Sequence, residues 1–129
     1  MSVSADTATV DEAILAQLRQ RLPGRVELAV QPGGTAPKAQ IQGYRVAGKT
    51  GTAHKIEGGA YANKYVSSFV GLAPASDPRL IVAVMIDEPS GGKHFGGDVA
   101  APVFANVMAG SLRAMGIAPD APLAPLQVA

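Results

Sequence analysis

Three strand-forming runs with short connections constrain the fold of this chain more than any other feature. Small, β-branched and aromatic residues dominate residues 44–54, 65–73 and 80–86, as is typical of β-strands. Each connection contains a glycine pair or prolines and is shorter than the dozen or more residues that a parallel crossover needs. The sequence therefore predicts an antiparallel meander.

The third run is apolar at every position, so we expect other parts of the fold to cover both of its faces. One cover is a helix at 99–115, where apolar residues recur every three or four positions between a candidate cap, Asp98, and a terminating Gly116. A shorter helix is predicted at 10–22, and the second face of the sheet is expected to be poorly covered. The predicted fold class is α+β, an antiparallel sheet meander with a C-terminal helix packed on it.

Weaker patterns complete the outline. Alternating residues at 25–31 favour a further strand, and proline and glycine predict a loop at 32–37. We expect several charged side chains to be solvated, namely Lys38, Arg45, Lys55, Lys64, Asp87 and Glu88.

Composition excludes several classes of partner. Eleven basic and ten acidic residues give a net charge of +1, which offers no electrostatic attraction to nucleic acid or to a membrane surface. Cysteine is absent, and the two histidines lie far apart, so we expect no disulfide, no metal and no cofactor. The first thirty residues contain acidic side chains and no long apolar run, so no signal or membrane segment is expected within the chain.

The segment from Gly43 to Thr52 carries the strongest chemical signal and has two interpretations. From Gly43 to Thr50 it fits G-x-x-x-x-G-K-[ST], the phosphate loop of nucleotide-binding proteins. From Lys49 onward, Lys-Thr-Gly-Thr is the third signature of serine acyltransferases that recognise penicillin. A phosphate loop needs a helix directly after it, but few residues separate Thr50 from a glycine pair at 58–59. A strand through the motif is favoured, and a P-loop nucleotide-binding protein stays the alternative.

Four segments together carry a family resemblance: residues 32–38, 43–53, 65–74 and 95–104. In this order they resemble the C-terminal part of the transpeptidase domain of class B penicillin-binding proteins, most closely the division-specific type. The resemblance covers residues 28–122 and implies an incomplete penicillin-binding transpeptidase domain. Residues 1–27 are then a helical segment of uncertain origin, and 123–129 are a tail.

The resemblance implies a serine D,D-transpeptidase that cross-links peptidoglycan, acts on a D-alanyl peptide, binds β-lactams and works at the periplasmic face of the inner membrane. It implies that Lys49 places a cation beside the nucleophile, and that Thr50 and Thr52 bind the substrate carboxylate. The Thr52 N–H would be an oxyanion donor, and Gly51 would leave room for the acyl donor. His94 and Phe95 would wall the substrate cleft.

The nucleophile motif of that family is not found in a usable context. The single S-x-x-K string runs from Ser90 to Lys93, follows a proline and contains two glycines. Such a sequence predicts a loop, whereas the family places serine and lysine one turn apart on a buried helix. We therefore expect the chain to be inactive alone. A non-catalytic fragment or engineered piece with a partner-binding surface, self-associating through its incompletely covered sheet, is a further alternative.

Overall fold

A computed structural model of the protein describes residues 29–121. A three-stranded antiparallel sheet in the order β1-β2-β3 is followed by two consecutive helices. The elements are a 3₁₀ turn Pro37–Ala39, β1 Ala47–Glu57, β2 Ala60–Ala73, β3 Leu80–Asp87, α1 Gly96–Val99 and α2 Ala101–Ala114. The predicted α+β meander with a C-terminal helix is confirmed. The helix predicted at 10–22 and the tail at 123–129 lie outside the described residues.

The hairpin between β1 and β2 is longer than predicted. Gly58 and Gly59 adopt positive φ angles of 58° and 79°, and Glu57 pairs directly with Ala60. A two-residue turn of this kind matches the twist of the flanking strands, so pairing continues to the turn. At its other end β1 begins only at Ala47, because the preceding residues form a turn closed by an N–H···O bond from Tyr44 to Ile41.

The hydrophobic core lies between one face of the sheet and α2. Phe69 of β2 and Phe104 of α2 are fully buried, with ring centroids 4.7 Å apart. Met108 and Leu112 continue the same face of the helix at spacings of four. A Cβ added to Gly71 would overlap the Phe104 ring, so glycine at this position lets the helix approach the sheet closely.

The apolar run at 80–86 of β3 is covered on one face in the described part of the chain. Leu80, Val82, Val84 and Ile86 pack against the core. The alternate residues Ile81 and Met85 are 73% and 74% exposed. The expectation of a poorly covered second sheet face is therefore confirmed among residues 29–121.

The strand predicted at 25–31 is wrong where it can be compared. Residues 29–31 belong to a turn in which Gly34 donates to the Gln31 carbonyl at 2.9 Å and Ala36 donates to the Ala29 carbonyl at 2.7 Å. These local bonds occupy backbone groups that a sheet ladder would need. Residues 25–28 lie outside the described residues.

Asp98 does not cap the C-terminal helix. The N-cap of α1 is Phe95, and Asp98 lies within α1, where its carboxylate accepts from Lys38 Nζ at 2.7 Å. At the other end Gly116 has a φ of 63°, as predicted for a residue that ends a helix. Within the described range no helix is long and apolar enough to span a membrane.

Most of the charged residues that were expected to be solvated are exposed to solvent and also form ion pairs at the surface. Lys55 Nζ lies 2.6 Å from Asp87 and 3.0 Å from Glu88. Adjacent strand residues normally point to opposite faces, but Glu88 follows β3 with a φ of 51°, which allows both carboxylates to reach one cation. The hydrogen bond from Lys55 to Asp87, and then that to Glu88, raises the Lys55 pKa. Lys64 pairs with Glu57 at 2.8 Å across the hairpin.

Candidate active-site cleft

An open cleft of about 340 Å³ runs along β1. One wall is the loop that ends in the 3₁₀ turn, and the other is the start of α1. The two walls are far apart in the sequence, since one comes from residues near 35 and the other from residues near 96. The cleft is lined by Thr35, Pro37, Lys38, Thr50, Thr52, Phe95, Gly96, Gly97 and Asp98.

The two threonines of the Lys-Thr-Gly-Thr motif lie on the same face of β1. Thr50 pairs with Phe69 and Thr52 with Ser67 on β2, so both side chains project to the side on which the helices pack. The Thr52 hydroxyl oxygen accepts a hydrogen bond from the Gly96 N–H at 3.2 Å. The two threonine hydroxyls are neighbours at an open cleft, and each can donate a hydrogen bond to a carboxylate.

The second wall approaches the sheet with almost no clearance. A Cβ on Gly96 would overlap the backbone oxygens of Ser68 and Gly51, and one on Gly97 would overlap the Thr35 carbonyl oxygen. The buried Ser67 hydroxyl donates to the His94 carbonyl and anchors the preceding loop. These contacts set the distance between α1 and β1, and hence the width of the cleft.

An ion pair links the two walls of the cleft. Lys38 from the 3₁₀ turn contacts Asp98 of α1 at 2.7 Å, and both side chains remain partly exposed. The hydrogen bond from Lys38 lowers the Asp98 pKa. Neither residue was predicted to line a cleft, because no local sequence pattern relates positions sixty residues apart.

Lys49 and Gly51 lie on the opposite face of β1 from the threonines, in register with Val70 and Ser68. The Lys49 ammonium donates to the Thr50 carbonyl at 2.9 Å and is exposed. A Cβ on Gly51 would meet only the Ser68 hydroxyl closely, and that hydroxyl has other rotamers, so this contact alone does not require glycine at this position. The structure thus brings Thr50 and Thr52 together and places Lys49 beyond the cleft lining.

The two aromatic candidates differ in position. Phe95 is 60% exposed and lines the cleft. His94 is not part of the lining and stacks on Tyr65 with ring centroids 3.9 Å apart and an interplanar angle of 13°. The ring centroids of His94 and Phe95 are 4.4 Å apart, so His94 contacts the Phe95 side chain without lining the cleft itself.

The phosphate-loop interpretation is wrong. Residues 48–50 lie within β1 and pair with residues 69–71 of β2. Strand pairing along this segment prevents its amides from converging on a phosphate. The segment that follows Thr50 continues as strand to Glu57, so no helix begins directly after the motif, as a phosphate loop requires.

Comparison with known proteins identifies the family. Residues 6–109 match the family described as "Penicillin binding protein transpeptidase domain". The chain belongs to this family. The transpeptidase match begins within residues 1–27, the segment that the sequence analysis set apart, and includes all of the cleft residues.

Individual relatives agree with this assignment. The transpeptidase-family chain is 52% identical over 97 residues to the peptidoglycan D,D-transpeptidase FtsI of Escherichia coli, covering 74% of this chain and 16% of the relative. It is 49% identical over 112 residues to "Probable peptidoglycan D,D-transpeptidase PbpC" of Pseudomonas aeruginosa, covering 86% and 20%. The resemblance to class B penicillin-binding proteins is confirmed.

A solved structure shows the same fold. The transpeptidase domain of Burkholderia pseudomallei penicillin-binding protein 3 superposes with a TM-score of 0.71 at 48% identity, covering 78% of this chain and 30% of that one. The chain thus spans about a fifth of the length of the curated relatives and about a third of the matched structure. It represents part of a transpeptidase domain.

Proposed function

We propose that this chain forms the carboxylate-recognising side of the active site of a serine D,D-transpeptidase that cross-links peptidoglycan. The observation that carries the proposal is that Thr50 and Thr52 lie on one face of the strand that bears the family motif and both line the open cleft. The proposed substrate is a D-alanyl peptide, whose terminal carboxylate accepts hydrogen bonds from both hydroxyls.

The reaction requires a serine from an upstream part of the domain. Its Oγ attacks the carbonyl of the penultimate residue, and the bond to the terminal D-alanine breaks as the leaving nitrogen takes up a proton. The resulting ester then passes its acyl group to an amine of a neighbouring peptide, which regenerates the serine hydroxyl. A β-lactam enters by the same attack, and opening of its ring leaves it attached to the serine.

The residues beside the threonines have separate roles in this proposal. Lys49 is proposed to provide a cation for the nucleophile contributed from upstream. In the described part of the chain its side chain lies on the face of β1 opposite the threonines and outside the cleft lining. The Thr52 N–H donates to the developing oxyanion, which is worth roughly 2.7 to 4 kcal/mol of transition-state stabilisation. Phe95 forms an apolar wall of the substrate cleft, and His94 contacts the Phe95 ring with the two ring planes tilted by 39°.

The surroundings of the protein follow from the same proposal. Its place of action is the periplasmic face of the inner membrane, where peptidoglycan is made. Its ligands are D-alanyl peptides and β-lactams, and the net charge of +1 gives no basis for a nucleic-acid partner. Self-association through the incompletely covered sheet completes the set of proposed partners.

A hybrid domain tests the function. Residues 29–121 replace the matching segment of the Burkholderia pseudomallei transpeptidase domain, and the rate of acylation by a fluorescent penicillin is measured. We expect acylation in the hybrid and a fall of about 10- to 100-fold on Thr50→Val or Thr52→Val, because each removes a hydrogen bond to a charged group.

The control removes a hydroxyl elsewhere. Ser111 donates to the Val107 carbonyl within α2 at 2.8 Å, and Ser111→Ala should leave the acylation rate unchanged. Thermal melting of each hybrid separates loss of folding from loss of chemistry. A folded hybrid that is not acylated, or one in which both threonine variants react at the original rate, would contradict the proposal.

A further inference from the structure

The lining of the cleft contains one cation and one anion among the residues that the structure describes. They are Lys38 and Asp98, and the other lining residues are uncharged. Lys38 Nζ lies 2.7 Å from the Asp98 carboxylate, and the two side chains are 45% and 35% exposed. Both partners belong to the range 29–121, so the described part of the chain contains the whole ion pair.

Backbone packing brings the Asp98 carboxylate within reach of Lys38. The Asp98 N–H donates to the Phe95 carbonyl at 2.9 Å, which fixes Asp98 in the first turn of α1. The neighbouring Gly97 lies so close to the Thr35 carbonyl oxygen that an added Cβ would overlap it. The hydrogen bond from Lys38 lowers the Asp98 pKa by more than desolvation raises it, so this carboxyl is ionised at neutral pH.

An unpaired Lys38 would compete with the two threonines of the cleft. Under the proposed function, on which this inference rests, Thr50 and Thr52 bind the terminal carboxylate of the acyl donor. A hydroxyl offers a carboxylate only a dipole, whereas an ammonium offers a full opposite charge. A lysine without its acidic partner would therefore attract carboxylates to its own side of the cleft.

We propose that Asp98 is a specificity-determining residue, which cancels the charge of Lys38 and so keeps the cleft from favouring acyl donors that carry a second carboxylate. With the pair intact the lining has no net charge, and recognition of the terminal carboxylate is left to the two hydroxyls. Specificity arises here by suppressing an unwanted attraction. A partly exposed ion pair adds little to stability, so its removal should alter ligand preference while the fold persists.

Two penicillins that differ by one carboxylate test this proposal in the hybrid domain. Carbenicillin is benzylpenicillin with a second carboxylate on the side chain, and the readout is the ratio of its acylation rate to that of benzylpenicillin. Asp98→Asn should raise this ratio by about 3- to 10-fold, because it leaves the charge of Lys38 uncompensated. Lys38→Gln should lower the ratio by a similar factor, because it leaves the Asp98 carboxylate alone in the lining.

Three controls separate the charge of the lining from other effects. The double variant Lys38→Gln with Asp98→Asn has an uncharged lining and should return the ratio to its original value. Glu57→Gln makes the same change of charge in the ion pair with Lys64 at 2.8 Å, outside the cleft lining, and should leave the ratio unchanged. In about 1 M salt, where the Debye length is about 3 Å, the shifts of both single variants should shrink.

The opposite signs of the two single variants distinguish selectivity by charge from a loosened cleft, which would slow both penicillins in both variants. An unchanged ratio, or a ratio that moves in the same direction in both, would overturn this inference and leave the proposed function intact. If thermal melting shows one single variant to be unfolded, the other compared with the double variant gives the same test. A folded hybrid that neither penicillin acylates would contradict the proposed function, and this inference with it.

Discussion

At the scale of single residues, two glycines determine how closely the walls of the cleft meet. Gly96 and Gly97 begin α1, and a side chain at either position would overlap backbone oxygen atoms of the sheet or of the opposite loop. Backbone atoms cannot rotate away as a flexible side chain can. Gly51 differs, because the atom that its Cβ would meet is the hydroxyl of Ser68, which has other rotamers.

Gly97→Ala should destabilise the protein by about 1 to 3 kcal/mol, since the added methyl group forces α1 away from the Thr35 carbonyl. The matched control is Gly110→Ala in α2, where the added Cβ meets no atom within 4 Å. Alanine favours the helix there and should stabilise it by about 0.5 to 1 kcal/mol. Urea unfolding of both variants measures the difference, and equal stability of the two would contradict the packing argument.

The sequence was informative about residues whose role is local. Alternation along β1 places Thr50 and Thr52 on one face, and the Lys-Thr-Gly-Thr motif identified both. The ion pair between Lys38 and Asp98 has no local signal, because two loops that are separate in sequence bring the side chains together. Lys49 illustrates the reverse case: alternation along β1 puts it on the face opposite the threonines, but only the packing of the fold shows which of the two faces borders the cleft.

At the scale of elements, residues that follow α2 form hydrogen bonds with the segment that precedes β1. The Asp120 carboxylate accepts hydrogen bonds from the Arg45 N–H at 2.7 Å, the Ser76 N–H at 3.2 Å and the Ser76 hydroxyl at 2.6 Å. The Tyr44 hydroxyl donates to the Ile117 carbonyl nearby. Burial raises the Asp120 pKa, but the hydrogen bonds from Ser76 and Arg45 outweigh burial, and the pKa is lowered.

Asp120→Ala should cost about 1 to 2 kcal/mol of unfolding free energy at pH 7, because three donors lose a charged acceptor. A carboxyl whose pKa is lower in the folded state contributes stability above its unfolded pKa, which is near 3.8. That contribution is lost as the pH falls through the folded pKa, so the difference in stability between the wild type and the variant should shrink as the pH falls below 3.8.

Urea unfolding between pH 7 and pH 3 measures this dependence. Asp77→Ala is the control, since it removes an exposed carboxylate from the same turn and should change stability by no more than about 0.5 kcal/mol. A cost for Asp120→Ala that stays constant across the pH range would argue against a charged interaction.

Elements were predictable where the pattern repeats, and element ends were not. Runs of strand-forming residues with short connections predicted the three strands, and the three-to-four spacing of apolar residues predicted α2. The start of β1 was misplaced because the contacts that end the preceding turn, including that of Asp120 with Arg45, are tertiary. The strand predicted at 25–31 is wrong at residues 29–31, since local backbone hydrogen bonds around Gly34 replace sheet pairing there.

At the scale of the whole molecule, the described part of the chain presents an open cleft lined by two threonine side chains. In the proposed function these hydroxyls bind a substrate carboxylate, and the family match covers residues 6–109. The S-x-x-K string at 90–93 lies in a loop with Ser90 and Lys93 both exposed, and Gly92 has a φ of 79°. This backbone does not place the lysine one helical turn from the serine, so the Ser90 hydroxyl lacks an activating base.

The purified chain should therefore form no covalent adduct with benzylpenicillin, whereas the hybrid domain described above should. Acylation needs an activated serine, a cation and oxyanion donors together, and Ser90 has only an exposed loop around it. Intact-mass spectrometry after incubation measures the adduct directly, with Ser90→Ala and Ser111→Ala as paired variants. A stoichiometric mass increase that disappears in Ser90→Ala and persists in Ser111→Ala would show that the loop serine is a nucleophile and that the chain is a self-sufficient acyltransferase.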